Sequence, residues 1–206
     1  MEHPMTSHLP LRFRFDSKKF VAGLAFFAGE TSNLDKLKVA KLFYYADKYH
    51  LIRYGYPILG DVYYHLDYGP VPSQALNIMN EAIDPYKSKK VKITQANLEL
   101  LKKYLKVDAE KRHPIFVLKT APDLTVLSDS EQEALQETVK QYGHYSGVEL
   151  IKLTHREPTW KETRQNAEID YRLFFKNEKE AKQEALEYLE SLQEQMELSF
   201  QLTSPS

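Results

Sequence analysis

The sequence predicts a mainly α fold: a compact helical domain carrying a small antiparallel β-sheet or hairpin, followed by a C-terminal amphipathic helix. Three observations lead there. Segments with apolar residues at helical spacing recur along the chain, opened by Ser or Asp caps and closed by Gly or Asp-Pro. The β-like runs are few and short, at Leu11–Phe15, Val62–Tyr68 and Ile115–Leu118. From Glu178 to Glu197, an apolar stripe lies on an otherwise acidic helix.

Met1 to Pro10 reads as a polar, flexible arm, and Leu11-Arg12-Phe13-Arg14-Phe15 alternates with the strand period, as an edge strand or a docking arm. Asp16 or Ser17 caps a first helix through about Gly29, with Phe20, Leu24 and Phe27 on one side. Ser32 and Asp35 form a capping box for a central helix, whose face runs Leu34, Leu37, Lys41, Tyr45, Tyr49. From Leu42 to Ala46 the helix is apolar all round, which suits one surrounded by protein. Gly55 ends it, since glycine takes positive φ cheaply.

Pro57 and Gly60-Asp61 mark a tight turn, and Val62 to Tyr68 reads as a tyrosine-rich strand. Gly69-Pro70-Val71-Pro72-Ser73 breaks that strand and launches a short helix to Ile83, stopped at Asp84-Pro85. Tyr86 to Arg112 is lysine-rich, and Leu98, Leu101 and Leu105 within it are helix-spaced. Ile115 to Leu118 is a strand that pairs with Val91-Lys92-Ile93 or with the Tyr63 strand. Ser128 with Glu131 and Ser146 with Glu149 are capping boxes opening two further helices. Gly143 closes the first and Thr154-His155-Arg156-Glu157-Pro158 the second. The organisation expected is an N-terminal arm (1–15), a helical domain (16–164), and an acidic helical extension with its tail (165–206).

Composition narrows the function. Hydrophobic content of 42% and formal net charge of −1 describe a globular chain with no overall electrostatic commitment to nucleic acid or anionic membrane. The absence of cysteine excludes disulfides and thiolate chemistry. The first twenty residues lack the continuous apolar core of a signal peptide, and no apolar run approaches the ~18 residues of a membrane span. The expectation is a soluble cytoplasmic protein.

No catalytic motif emerges. The seven histidines show no HExxH pairing, so no metal is expected. Ser73, Ser128 and Ser146 sit where helix caps are wanted, and no glycine-rich phosphate loop occurs. Asp61 with His65 four residues on is the best acid/base pair, set against an Asx-type turn at Asp61, which is the favoured reading. The lysine-rich middle has thin aromatic interleaving, so nucleic acid is disfavoured as a partner. An enzyme and a bound cofactor are not expected.

The tyrosines stand out. Tyr44, Tyr45, Tyr49, Tyr54, Tyr56, Tyr63, Tyr64 and Tyr68 crowd into twenty-five positions. Tyr45 and Tyr49 are expected in the core. Strand alternation puts Tyr64 and Tyr68 on the face opposite Tyr63, where they serve either an interface or a core edge.

Leu37, Lys41, Leu42, Tyr44, Tyr45, Ala46, Leu51, Gly55, Pro57, Gly60, Asp61, Tyr63, Tyr64, Tyr68 and Gly69-Pro70-Val71-Pro72-Ser73 together resemble the core signature of the Panacea, or SocA-like antitoxin, domain. The likeness covers about Lys18 to Lys161, departs at His65-Leu66-Asp67, and extends to Thr154-His155 and Trp160. It implies an antitoxin of a type II toxin–antitoxin system that holds a translation-inhibiting toxin, encoded by the adjacent gene, by direct contact. Its alternatives are an adaptor presenting a toxin to ClpXP, or a DNA-binding regulator of its own operon. Asp61, Tyr64, Tyr68, Pro70 and Val71 are the docking residues expected on the domain. Glu187, Glu190 and Glu194 are expected on the acidic helix, which complements a basic toxin or, instead, packs on its own domain or makes a homo-oligomer through Ala185–Leu192.

Overall fold

A computed structural model describes residues 11–84, 95–179 and 181–203. The arm expected over Met1–Pro10, the lysines Lys87, Lys89, Lys90 and Lys92, and the candidate strand Val91–Ile93 lie outside the described residues. Within them the protein is mainly helical, with eight α-helices and two small antiparallel hairpins, as the sequence predicts.

Helix α1, Ser17–Glu30, begins where the Asp16 carboxylate accepts the amides of Lys18 and Lys19. Helix α2, Lys36–Tyr54, is the axis of the molecule, contacted by α3, α5, α6, α8 and the first hairpin. Every residue from Lys38 to Lys48 is buried, which explains why no polar face shows in its sequence. It ends at Gly55, left-handed at φ 82°. Its cap differs from the expected box: Asp35 is itself the N-cap, accepting the Lys38 amide, and Ser32 lies outside the helix. Phe43 packs on Phe20 and Phe27 of α1 at ring distances of 5.2 and 5.0 Å. Each such buried ring contributes roughly 1.5–3 kcal/mol.

The β-structure departs twice from the sequence reading. Gly69–Pro72 does not break the tyrosine strand but forms its partner: β1 Tyr63–Leu66 and β2 Gly69–Pro72 pair antiparallel across the turn Asp67-Tyr68. Two prolines in a strand hide it from a propensity reading, yet an edge position tolerates them. Second, Leu105 does not extend a helix. After α3 (Ser73–Ile83) and α4 (Gln95–Tyr104), it opens β3, Leu105–Asp108, which pairs with β4, Ile115–Leu118. The strand at Ile115 therefore pairs with a local neighbour rather than the Tyr63 strand. The Leu11–Phe15 run makes no strand pairing but keeps its alternation: Leu11 is buried and Phe13 and Phe15 are half-buried, while Arg12 and Arg14 are exposed.

Helices α5 (Asp129–Tyr142) and α6 (Gly147–Thr154) open with both expected capping boxes complete. The short α7, Pro158–Lys161, leads into a 3-10 turn at Tyr171–Phe174, whose Tyr171 and Phe174 sit in the core against Tyr44 and Tyr63. Helix α8, Gln183–Thr203, lays Ala185 and Leu189 against the domain, and its first turn is tied on by the Lys182 amide to the Ile52 carbonyl.

Candidate functional site

The β1–β2 hairpin is held from below by three ionisable side chains. The Asp61 carboxylate accepts the amides of Val62, Gln74 and Ala75 and the Ser73 hydroxyl at 2.8–3.2 Å. It is the N-cap of α3, supplied from eleven residues before Pro72, which offers no side-chain cap of its own. Burial raises its pKa against those hydrogen bonds. Asp61 is fully buried, so it braces the hairpin rather than standing on its surface.

Asp47 is the second brace. One carboxylate oxygen accepts the amides of Ile58 and Leu59 at 2.8 and 2.9 Å, and the other accepts the Tyr63 hydroxyl at 2.8 Å. It is fully buried, and desolvation lifts its pKa to about 7.

Lys41 is the third. Its Nζ donates to the Pro70 carbonyl at 2.7 Å, and among the described residues it has no carboxylate partner. Complete burial pushes the amine down to about 7. Gly69, left-handed at φ 88°, closes over it: a Cβ there would lie 2.7 Å from Thr154 Oγ1 and 2.9 Å from Lys41 Nζ.

The outer edge of β1 is covered as well. His65 N–H donates to the Ala167 carbonyl, Asn166 N–H to the His65 carbonyl and Ile169 N–H to the Tyr63 carbonyl. The His65 ring donates from Nδ1 to the Thr163 carbonyl at 2.7 Å and packs at 4.6 Å on Trp160. Trp160 stacks on His155 at 3.9 Å. Asp61 and His65 thus have separate partners and do not form an acid/base pair.

The expected docking residues fall at different depths. Tyr68 is 62% exposed at the hairpin turn and Tyr64 is half-buried, on the face opposite buried Tyr63. Pro70 and Val71 are buried on β2, opposite His65 and Tyr64 in the strand register. Glu187, Glu190 and Glu194 are exposed on α8, whose apolar stripe is covered by the domain itself. Tyr45 is in the core as expected, stacked on Tyr142 at 3.9 Å, whereas Tyr49 is half-exposed and donates to Glu133.

An open cleft of ≈ 220 Å³ between α2 and α5 is lined by Tyr45, Lys48, Tyr49, Arg53, Tyr142 and Glu178. Its cations are engaged: Lys48 with Glu157 and Glu178 at 2.5 and 2.6 Å, and Arg53 3.6 Å above the Tyr49 ring. Among the described residues, no cluster of three or more acidic or histidine side chains converges as a metal site requires, and no helix is long and apolar enough to cross a membrane.

Sequence reasoning missed Asp47 and the burial of Lys41. The signal was there for Lys41, which directly precedes the all-round apolar run. The arrangement as a whole offers a braced hairpin with an exposed aromatic tip.

A family model described as "Antitoxin SocA-like, Panacea domain" matches residues 39–161. That span runs from within α2 to the end of α7 and contains the whole hairpin. No curated protein and no solved structure matches the chain.

Proposed function

Because this chain belongs to the SocA-like antitoxin family with its Panacea domain, its role is that of an antitoxin with a partner toxin, and we propose that it neutralises a translation-inhibiting toxin by direct protein–protein binding, as one half of a type II pair. The observation that carries this reading is Tyr68: a large aromatic side chain, 62% exposed, at the turn of a hairpin pinned by Lys41, Asp47 and Asp61. A surface held this firmly loses little conformational entropy when a partner docks, and tyrosine is a frequent anchor at interfaces. Tyr64 borders it, while buried Pro70 and Val71 fix its pose.

The exposed glutamates of α8 supply the second contact. Toxins that act on RNA need basic surfaces, and Glu187, Glu190 and Glu194 complement one electrostatically.

The test is co-expression with the product of the adjacent gene, purification of a complex, and rescue of growth. A stable complex that loses affinity on Tyr68→Ala by about 2 kcal/mol supports direct neutralisation at the hairpin. Rescue without a complex, and only in cells that contain ClpXP, assigns the chain to protease delivery instead. Binding to its own upstream DNA, collapsing with added salt, assigns it to autoregulation. Neither complex nor rescue overturns the proposal.

A further inference from the structure

Away from the hairpin, the last turn of α2 meets the first turn of α5 through a histidine and a serine. His50 is fully buried, its ring edge-on to the exposed Tyr56 ring at 4.6 Å and tilted against Tyr54 at 4.7 Å. Its Nδ1 is 2.8 Å from the Tyr56 carbonyl oxygen, and its Nε2 is 3.0 Å from Ser130 Oγ. Ser130 is half-buried, and its oxygen lies 3.0 Å from the exposed Ser128 hydroxyl.

The place of each proton follows. A carbonyl oxygen only accepts, so Nδ1 carries the ring hydrogen. Burial lowers the pKa of the ring, which keeps it neutral at physiological pH with a bare lone pair on Nε2. Ser130 O–H therefore donates to Nε2. Ser128 O–H donates to the Ser130 oxygen in turn, while its own oxygen accepts the Glu131 amide.

This is the proton order of an activated serine: a base holds the hydroxyl hydrogen, and a group on the far nitrogen fixes the tautomer of that base. Here the far group is a backbone carbonyl. The charges facing the ring are Glu131 and Glu133 of α5, which favour an imidazolium, and Lys19 of α1, which opposes one. Lys19 is itself paired with Glu131 at 2.6 Å. Ser130 is the second residue of α5, so its own amide has no acceptor within the helix and favours negative charge nearby. The same first turn carries Asp129 and Glu131, which repel an anionic phosphate ester and leave an uncharged acyl compound as the suited electrophile.

We infer that Ser130 is a nucleophile activated by His50, and that it takes an acyl group from an uncharged activated ester. Ser130 Oγ bonds to the ester carbonyl carbon as its hydrogen passes to His50 Nε2. The bond from that carbon to the leaving oxygen breaks, and the imidazolium gives the proton to the departing oxygen. The products are an O-acyl serine and a free alcohol or phenol. The inference stands on the contact of α2 with α5 and is independent of the antitoxin reading.

Brief exposure of the full chain to p-nitrophenyl acetate at about pH 7.5, with the acetyl groups located by peptide mass spectrometry, tests it. Acetyl-Ser130 is expected to form about a hundredfold faster than acetyl-Ser146, an exposed cap hydroxyl of the same chain. The rate at Ser130 is expected to fall in acid with a midpoint below 6.5, as Nε2 takes a proton. His50→Gln is expected to bring Ser130 down to the rate of Ser146 and to leave Ser146 unchanged. The rate ratio and the pH profile are both read on the wild-type chain, so they decide the matter even where His50→Gln fails to fold. Acetylation of Ser130 no faster than of Ser146, or unaltered by His50→Gln in a folded chain, overturns the inference.

Discussion

Lys41 Nζ lies 2.7 Å from the carbonyl oxygen of Pro70, and this single bond joins the central helix to the second strand of the hairpin. The amine is fully buried without a carboxylate partner among the described residues. A charge so placed costs folding free energy, and its titration moves accordingly.

The pH dependence follows from the sign. Lys41 titrates near 7 in the folded protein instead of 10.5, so folding expels a proton between those values. The penalty is full below pH 7 and shrinks as pH rises towards 10.5. Urea unfolding at pH 6 and pH 9 is expected to show the wild type gaining on the order of 2 kcal/mol relative to Lys41→Met across that interval. Parallel pH profiles for the two proteins would show that the folded amine keeps its ordinary pKa.

Asp47 holds two buried amides and one buried hydroxyl. Asp47→Ala orphans all three and is expected to cost about 3 kcal/mol, whereas Asp47→Asn keeps a carbonyl oxygen for the amides and costs about 1 kcal/mol. Equal losses in chemical denaturation would mean that the hydrogen bonds at Ile58 and Leu59 contribute nothing.

Asp61 caps α3 from a distance. Asp61→Ala is expected to destabilise the protein by about 2 kcal/mol and to raise hydrogen exchange first at Gln74 and Ala75. Exchange that rises uniformly instead would assign the loss to general packing.

Gly55 combines left-handed backbone with a neighbour. A Cβ there would sit 2.6 Å from Tyr188 Cδ1 and 3.0 Å from the Ala185 carbonyl. Gly55→Ala is expected to cost about 2 kcal/mol and to speed proteolysis within α8 ahead of the rest of the chain. Unchanged cleavage of α8 would show that its seat accommodates the methyl group.

Charge reversal on α8 separates stability from recognition. E187K/E190K/E194K is expected to change the melting point by less than about 3 °C, since all three side chains are exposed. The same variant is expected to lower the affinity for a basic toxin by about tenfold or more. Neutralisation at wild-type strength would remove α8 from the interface.

Much of this fold was legible because helix signals are local. The capping boxes at Ser128/Glu131 and Ser146/Glu149 and the stop at Gly55 need only residues within one turn of each other. The hairpin was half legible: the alternation of Tyr63 and Tyr64 was read, but β2 was not, because Pro70 and Pro72 carry a loop composition. Asp61 read as a turn residue at Gly60, since its partners at 74 and 75 lie beyond any local window. The all-round apolar run from Leu42 to Ala46 signals an enclosed helix, but that Lys41 itself is sealed in with it shows only in the tertiary contacts. The contacts of Trp160 with Leu66 and of Gln165 with Asp67 are hidden for the same reason, since they form only after the chain has folded back.

That return has a consequence in time. The outer edge of β1 is completed by the Ala167 carbonyl and the Asn166 amide, about a hundred residues downstream of His65. At a synthesis rate of about 5–20 residues per second, the strand waits roughly 5–20 s on the ribosome for its cover. Throughout that interval, the nascent chain presents an open strand edge to whatever else is nearby. The chain's last third is what makes the first two-thirds safe to release.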